Sequence, residues 1–260
     1  HCSVHEALIS FGLKPELPLI GAKHNNYLKG LRASLSTSGK LEPVLLDSAL
    51  GHRIYRKSLC FLLNMAAHRT LNLDPPRISH SLGDAYFFYP SSAEQFKVED
   101  IKKLKKKMEE LVAENHPIHS RTLSHEQALD IFSAPGREET HLLLQQRNQR
   151  KVNCQECDGF YDIDHFPLVP DTGFLTVWDI KPYKHGLVLQ FPGKEIPLSI
   201  EPLQEKPMLF SIFHEYHQWG RILGVPNLPQ LNRLTETKDI SHFIAVAETL
   251  QDRKVAAIAD

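Results

Sequence analysis

The stretch "GHRIYRKSLCFLLNMAAHRTL", residues 51–71, most narrows the folds open to this chain. Ile54, Leu59, Phe61, Leu62, Leu63, Met65 and Ala66 make it a helix that is apolar on most faces, and such a helix has to be buried. Other elements must therefore cover it. "EDIKKLKKKMEELVAEN" supplies one. Its Ile101, Leu104, Met108, Leu111 and Val112 fall on a single stripe with lysines and glutamates elsewhere, the pattern of an amphipathic helix lying on a core. "PPRISHSLGDAYFFYP" reads as two short strands around a turn at Gly83 and Asp84, and "GFLTVWDI" and "GLVLQFP" alternate as strands. An antiparallel sheet is the natural product, and the expected fold class is α+β.

Residues 1–48 read as a small mixed module. Ser3 and Glu6 have the spacing of a capping box for a short helix that stops at Gly12. "PLIGAKHNNYLKGL" and "LEPVLLD" follow as short strands with turn chemistry at Asn25 and Asn26. Ser124 and Gln127 form a second capping box. From residue 206 to 260 the chain is helical again, and Ile240, Phe243, Ile244, Ala247 and Leu250 share one face, which predicts packing through an enclosed Phe243. No cap or breaker precedes Asp260, so the natural chain is expected to continue. The expected division is 1–48, 49–205 and 206–260.

Composition excludes some classes of function. With 260 residues and 42% hydrophobic content the chain can bury a sizeable core. It contains no run near the roughly 20 apolar residues that span a bilayer, and no signal-peptide order at its start, so no membrane partner is expected. Four cysteines (Cys2, Cys60, Cys154 and Cys157) are too few for a disulfide framework, which fits a reducing, cytoplasmic setting. A formal net charge of -1 advertises no global nucleic-acid field, so any RNA contact is expected to be local.

Several motifs read more simply than they look. Cys154 and Cys157 form a lone C-x-x-C with no second pair to complete a zinc site, and no metal is expected. His214 and His217 are one residue short of H-E-x-x-H spacing and read as a helix-surface cluster. "SGK" at Ser38 lacks the upstream glycine of a phosphate loop, and Leu41 replaces the required Ser or Thr, so no ATP site is expected in this chain. Lysines 102, 103, 105, 106 and 107 read as a solvated helix face, with Lys103 and Lys106 the candidate contacts if RNA is bound.

Longer passages carry a resemblance. "EDIKKLKKKMEELVAENHPIHSRTLSHEQALDIF", "RISHSLGDAYFFYP" and "FPLVPDTGFLTVWDI" resemble the second additional domain of threonyl-tRNA synthetases, the editing domain shared with alanyl-tRNA synthetases, over about residues 51–192. "PLIGAKHNNYLKGL" resembles the later part of the small ubiquitin-like TGS domain that precedes it. "GHRIYRKSLCFLLNMAA", "LFSIFHEYHQWGRILGVPNLPQLN" and "ISHFIAVAETLQDRKVAAIAD" are similar to a bacterial uridine kinase-like family, in which such regions precede an ATP-dependent nucleoside kinase domain. That resemblance implies a covalently linked kinase domain beyond this chain, with ATP and Mg as its cofactors, and an accessory region recognising RNA, a tRNA acceptor end, or a nucleoside.

The editing domain's own site uses H-x-x-x-H on the buried helix and C-x-x-x-H before the turn. At those positions this sequence has Lys57, Phe61, Asp164 and Leu168. Phenylalanine and leucine cannot ligate and an ammonium repels a cation, so the resemblance implies a cleft without its metal-assisted chemistry and with no catalytic residue. Lys57 and Asp164 are expected to pair across it. His80, on the hairpin, reads either as a histidine hydrogen-bonded in a sheet or as a ligand contact beside that cleft. The alternative function is a stand-alone tRNA-binding module or a weak aminoacyl-tRNA deacylase.

Overall fold

The computed structural model describes residues 2–13, 16–71, 75–90, 95–163, 166–193, 195, 198–236 and 240–259. It divides into two compact units, residues 1–138 with 149–205, and residues 139–148 with 206–260. The first unit opens with β1 (Cys2–Ser3) and α1 (Val4–Ser10). The Glu6 backbone N–H donates to Ser3 Oγ at 3.2 Å and the Ser3 N–H to Glu6 Oε2 at 2.7 Å, so the capping box closes as its spacing predicts. Next come β2 (Leu19–His24), β3 (Tyr27–Gly30), β4 (Ser34–Leu35) and β5 (Leu41–Leu45). β3, β2 and β5 form a three-stranded antiparallel sheet, and β1 pairs with β4. The β2–β3 hairpin turns on Asn25 and Asn26, both at positive φ (49° and 69°), the left-handed conformation that asparagine tolerates best among residues with a side chain.

α2 (Ala49–Leu71) is the buried helix, with Ile54, Leu59, Leu62, Leu63, Met65 and Ala66 fully enclosed. After it run β6 (Arg77–Ser81), β7 (Ala85–Tyr89), α3 (Val98–Glu114), β8 (His119–Ser124), α4 (His125–Ile131), α5 (Glu138–Gln145), β9 (Lys151–Cys157), β10 (Phe160–Ile163), β11 (Asp179–Tyr183) and β12 (Gly186–Gln190). β11, β12, β7 and β6 make a four-stranded antiparallel sheet, and β10, β9 and β8 a second sheet. α2 and α3 bury their apolar sides in one core with Phe88, Leu187 and Leu189 of the larger sheet and Phe191 just after it, which confirms the α+β class with antiparallel sheets.

The passage "GFLTVWDI" departs from its expected strand. Thr172–Phe174 is a turn of 3-10 helix and β11 begins only at Asp179. Side chains satisfy the intervening backbone instead of a ladder. Trp178 Nε1 donates to the Leu175 carbonyl at 2.8 Å, and the Tyr55 hydroxyl accepts from Val177 N–H at 2.9 Å while donating to the Val177 carbonyl at 3.2 Å.

The second unit holds α5 with α6 (Pro207–Ile222), α7 (Leu228–Glu236) and α8 (Ile240–Ala259). Gln146 donates to the Pro229 carbonyl at 3.0 Å, and Lys254 meets Glu215 at 2.7 Å. The helical beat of α8 is present, but its enclosure is not: no residue of α8 is buried, Phe243 is half-buried and Ile244 is 47% exposed. A few helices leave too little cover to bury both sides of such a stripe. No described helix is long and apolar enough to cross a membrane.

Candidate functional site

The segment Pro167–Thr172, "PLVPDT", is held at almost every polar group. Val169 N–H donates to Ser58 Oγ at 2.9 Å, and Ser58, fully buried on α2, donates to the Ile54 carbonyl at 2.8 Å. The Pro170 carbonyl accepts from Ile118 N–H at 2.8 Å and from Arg32 Nε at 3.0 Å, and Thr172 Oγ1 donates to the Leu111 carbonyl at 2.6 Å. Arg32 also pairs with Asp171. The turn is thus bolted to α2, to the end of α3 and to the β3–β4 connection. Ser58→Ala strands the buried Val169 N–H, and chemical denaturation is expected to show a loss of about 1–3 kcal/mol.

Beside that turn lie two adjoining depressions. One, of about 340 Å³, has Lys29, Arg32, His119, Arg121, Gln155 and Leu168 among its walls. The other, of about 460 Å³, shares Leu31, Arg32 and Pro170 with it and adds His5, Asp171 and Phe174. Three cationic side chains therefore border a polar crevice. Two of them are compensated, Arg32 by Asp171 and Arg121 by Glu156 at 3.3 Å. This grouping has no signature along the chain, because its members come from separate stretches.

The four positions that correspond to editing ligands fare differently. Phe61 is buried on α2 and meets Phe160 edge to face at 5.3 Å, and Leu168 joins the same core cluster. On its other sides Phe160 carries Arg137, whose guanidinium carbon lies 4.4 Å over the ring, and His68 at 5.6 Å. Lys57 is exposed. Asp164 lies outside the described residues, and the expected Lys57–Asp164 pair lies there with it. Asp162, on β10, is engaged by Asn64 Nδ2 at 3.1 Å and lies 3.8 Å from Arg137. Asn64, Asp162 and Arg137 escaped sequence reasoning because their cross-chain contacts have no spacing signature.

These residues do not fit a metal. Two of the three described positions are apolar and packed into the core, and the third is an ammonium. Cys60 does not substitute for them, since burial pushes its thiol up to about 12 and keeps it neutral. Cys154 and Cys157 stand three apart on the regular strand β9, so their side chains leave opposite faces and cannot share an ion. Among the described residues no three His, Cys, Asp or Glu side chains gather as a metal site would require.

His80 is buried on β6, its ring tilted against Phe87 at 5.4 Å, with Ser79 Oγ 2.9 Å from Nδ1. Tyr86 and Phe88 pack with the core beneath α2, so Phe87 between them points to the opposite face of the sheet, and His80 goes with it. Burial lowers its pKa and favours the neutral ring. Phe61 and Leu168 thus share one cluster, and His80 lies apart from it. On α3, Lys103 and Lys106 are exposed, while Lys105 and Lys107 pair with Asp179 at 2.7 Å and Glu110 at 3.1 Å.

No family model matches the chain. Individual relatives do. The threonine–tRNA ligase of Syntrophotalea carbinolica is 28% identical over 166 residues, which cover 62% of this chain and 26% of the ligase. That of Carboxydothermus hydrogenoformans is 25% identical over 160 residues, covering 61% and 25%. That of Burkholderia lata is 26% identical over 179 residues, covering 68% and 28%. The chain spans about a quarter of the length of these relatives. Nothing among them points to a nucleoside kinase.

Proposed function

We propose that this region recognises the acceptor end of tRNA and does not hydrolyse an aminoacyl ester carried there. The similarity to threonine–tRNA ligases supports the RNA half of the reading. The observation that carries the other half is the burial of Phe61 against Phe160 and of Leu168 in the same core, at positions where the resemblance implies metal ligands. The kinase-like parent implied by the helical passages gains nothing from the relatives, so the proposal is confined to RNA recognition.

The exposed cations Lys103 and Lys106 are the proposed backbone contacts on α3. Fluorescence anisotropy with deacylated tRNA is expected to show weak binding that falls steeply between about 50 and 200 mM salt. Reversing both charges, Lys103→Glu with Lys106→Glu, is expected to weaken it roughly tenfold and to lower the salt slope by about 2. The circular dichroism spectrum should stay unchanged, since both side chains are exposed. Tight binding indifferent to salt would contradict the reading.

A further inference from the structure

α2 also presents two cations that nothing above uses, Arg53 and Arg56, beside Lys57. Arg53, Arg56 and Lys57 stand three and four residues apart, within one turn, and so lie on the same face of the helix. Like charges at this spacing oppose one another. No described carboxylate pairs with any of the three, whereas Arg32, Arg69, Lys105, Lys107, Arg121 and Lys254 all have one. The neighbours of the arginines are aromatic rings instead. The Arg53 guanidinium carbon lies 4.4 Å over Phe166, and that of Arg56 lies 5.3 Å from the centre of Phe191 and 5.7 Å from that of Tyr86.

Ring faces hold a guanidinium in place without consuming its N–H donors, whose directions are fixed by the planar fork. The donors of exposed Arg53 therefore stay available to an anion, and the rings beside half-buried Arg56 consume none of its donors. Arg56 adds a sharper sign: its Nε is buried and meets no acceptor among the described residues. A buried guanidinium N–H without an acceptor is costly, and native structures retain few. Tyr86 closes the group. Burial raises its hydroxyl pKa, while the charges of Arg56 and Arg53 pull the other way. The phenol thus stays protonated at neutral pH and is a further donor to an incoming oxyanion.

We infer that Arg53, Arg56 and Lys57, backed by Phe166, Tyr86 and Phe191, form a phosphate-binding site on α2. Planar forks and a point charge on one stretch of helix match the several oxygens of a phosphate ester. Two sources have that chemistry, the backbone of an RNA end and a free nucleotide. The site itself stands on the geometry of α2, and only the RNA source rests on the reading proposed above.

The test is calorimetric titration of the whole chain with adenosine 5′-monophosphate and with adenosine, beside anisotropy with a single-stranded RNA ending in CCA. The monophosphate is expected to bind at least tenfold more tightly than adenosine. The double variant Arg53→Gln with Lys57→Gln changes two exposed side chains, and it is expected to lose at least tenfold in monophosphate affinity with an unchanged melting curve. Arg56→Lys, which keeps the charge and loses the fork, should fall between wild type and the double variant. If RNA binding drops in parallel, the RNA end is the source; if the chain binds the monophosphate but no RNA, the site stands and the acceptor-end reading fails. Equal affinity for monophosphate and adenosine, or a double variant that binds both probes as the wild type does, would overturn the phosphate site.

Discussion

Phe61→Ala is expected to lower the unfolding free energy by about 3–5 kcal/mol in chemical denaturation, whereas Lys57→Ala, four residues away on the same helix, is expected to stay within about 0.5 kcal/mol. The resemblance implies a metal ligand at both positions, yet their surroundings differ. The Phe61 ring is 4% exposed, sits in the main core and meets Phe160 edge to face. Removing it forfeits the transfer free energy of the ring, leaves a cavity beneath α2 and breaks an aromatic pair. Lys57 loses only an exposed stem. If the two substitutions proved equally mild, Phe61 would not be the packed plug that rules out a metal at this place.

The second large effect concerns the start of α2. A Cβ added at Gly51 would lie 1.9 Å from the Leu45 carbonyl oxygen and 2.8 Å from its carbon, and both are backbone atoms at the end of β5. No side-chain rotamer relieves such a contact, so strand and helix must move apart. Gly51→Ala is expected to cost about 3 kcal/mol, the upper end of ordinary overpacking, read as a lowered denaturation midpoint. Gly30→Ala is the matched control. Its Cβ would meet the Leu168 carbonyl at 3.6 Å, an ordinary contact, and the midpoint should barely move.

Much of the fold was legible because several elements advertise themselves locally. The apolar α2, the stripe on α3 and the boxes Ser3–Glu6 and Ser124–Gln127 each encode their element within a few residues. The Asn25–Asn26 turn did the same for its hairpin. β8, "HSRTLS", was invisible for the opposite reason. None of its residues is buried, so it has no alternation to betray it, and its place is set by pairing with β9. "FLTVW" misled because its β-prone residues use Tyr55 and Trp178 as hydrogen-bond partners instead of a neighbouring strand.

The site divides along the same line. That Phe61 and Leu168 cannot ligate is a property of residue type and was readable from the chain alone. Where His80 points was not, because it depends on which face of the larger sheet Phe87 occupies. That the cations of α2 have no carboxylate partner among the described residues was equally hidden, since contacts between distant stretches are a fact of three dimensions. Arg53, Arg56 and Lys57 look no different in sequence from Lys105, whose partner Asp179 lies on β11.

The central claim is recognition of an acceptor end without chemistry upon it. One measurement reads both halves: a time course of ester hydrolysis on 3′-aminoacylated tRNA, with the fraction of tRNA bound recorded in the same tubes and zinc added to one series. The account predicts salt-sensitive binding and ester loss at the rate of buffer alone, with or without zinc. Multiple-turnover deacylation above that rate would contradict it.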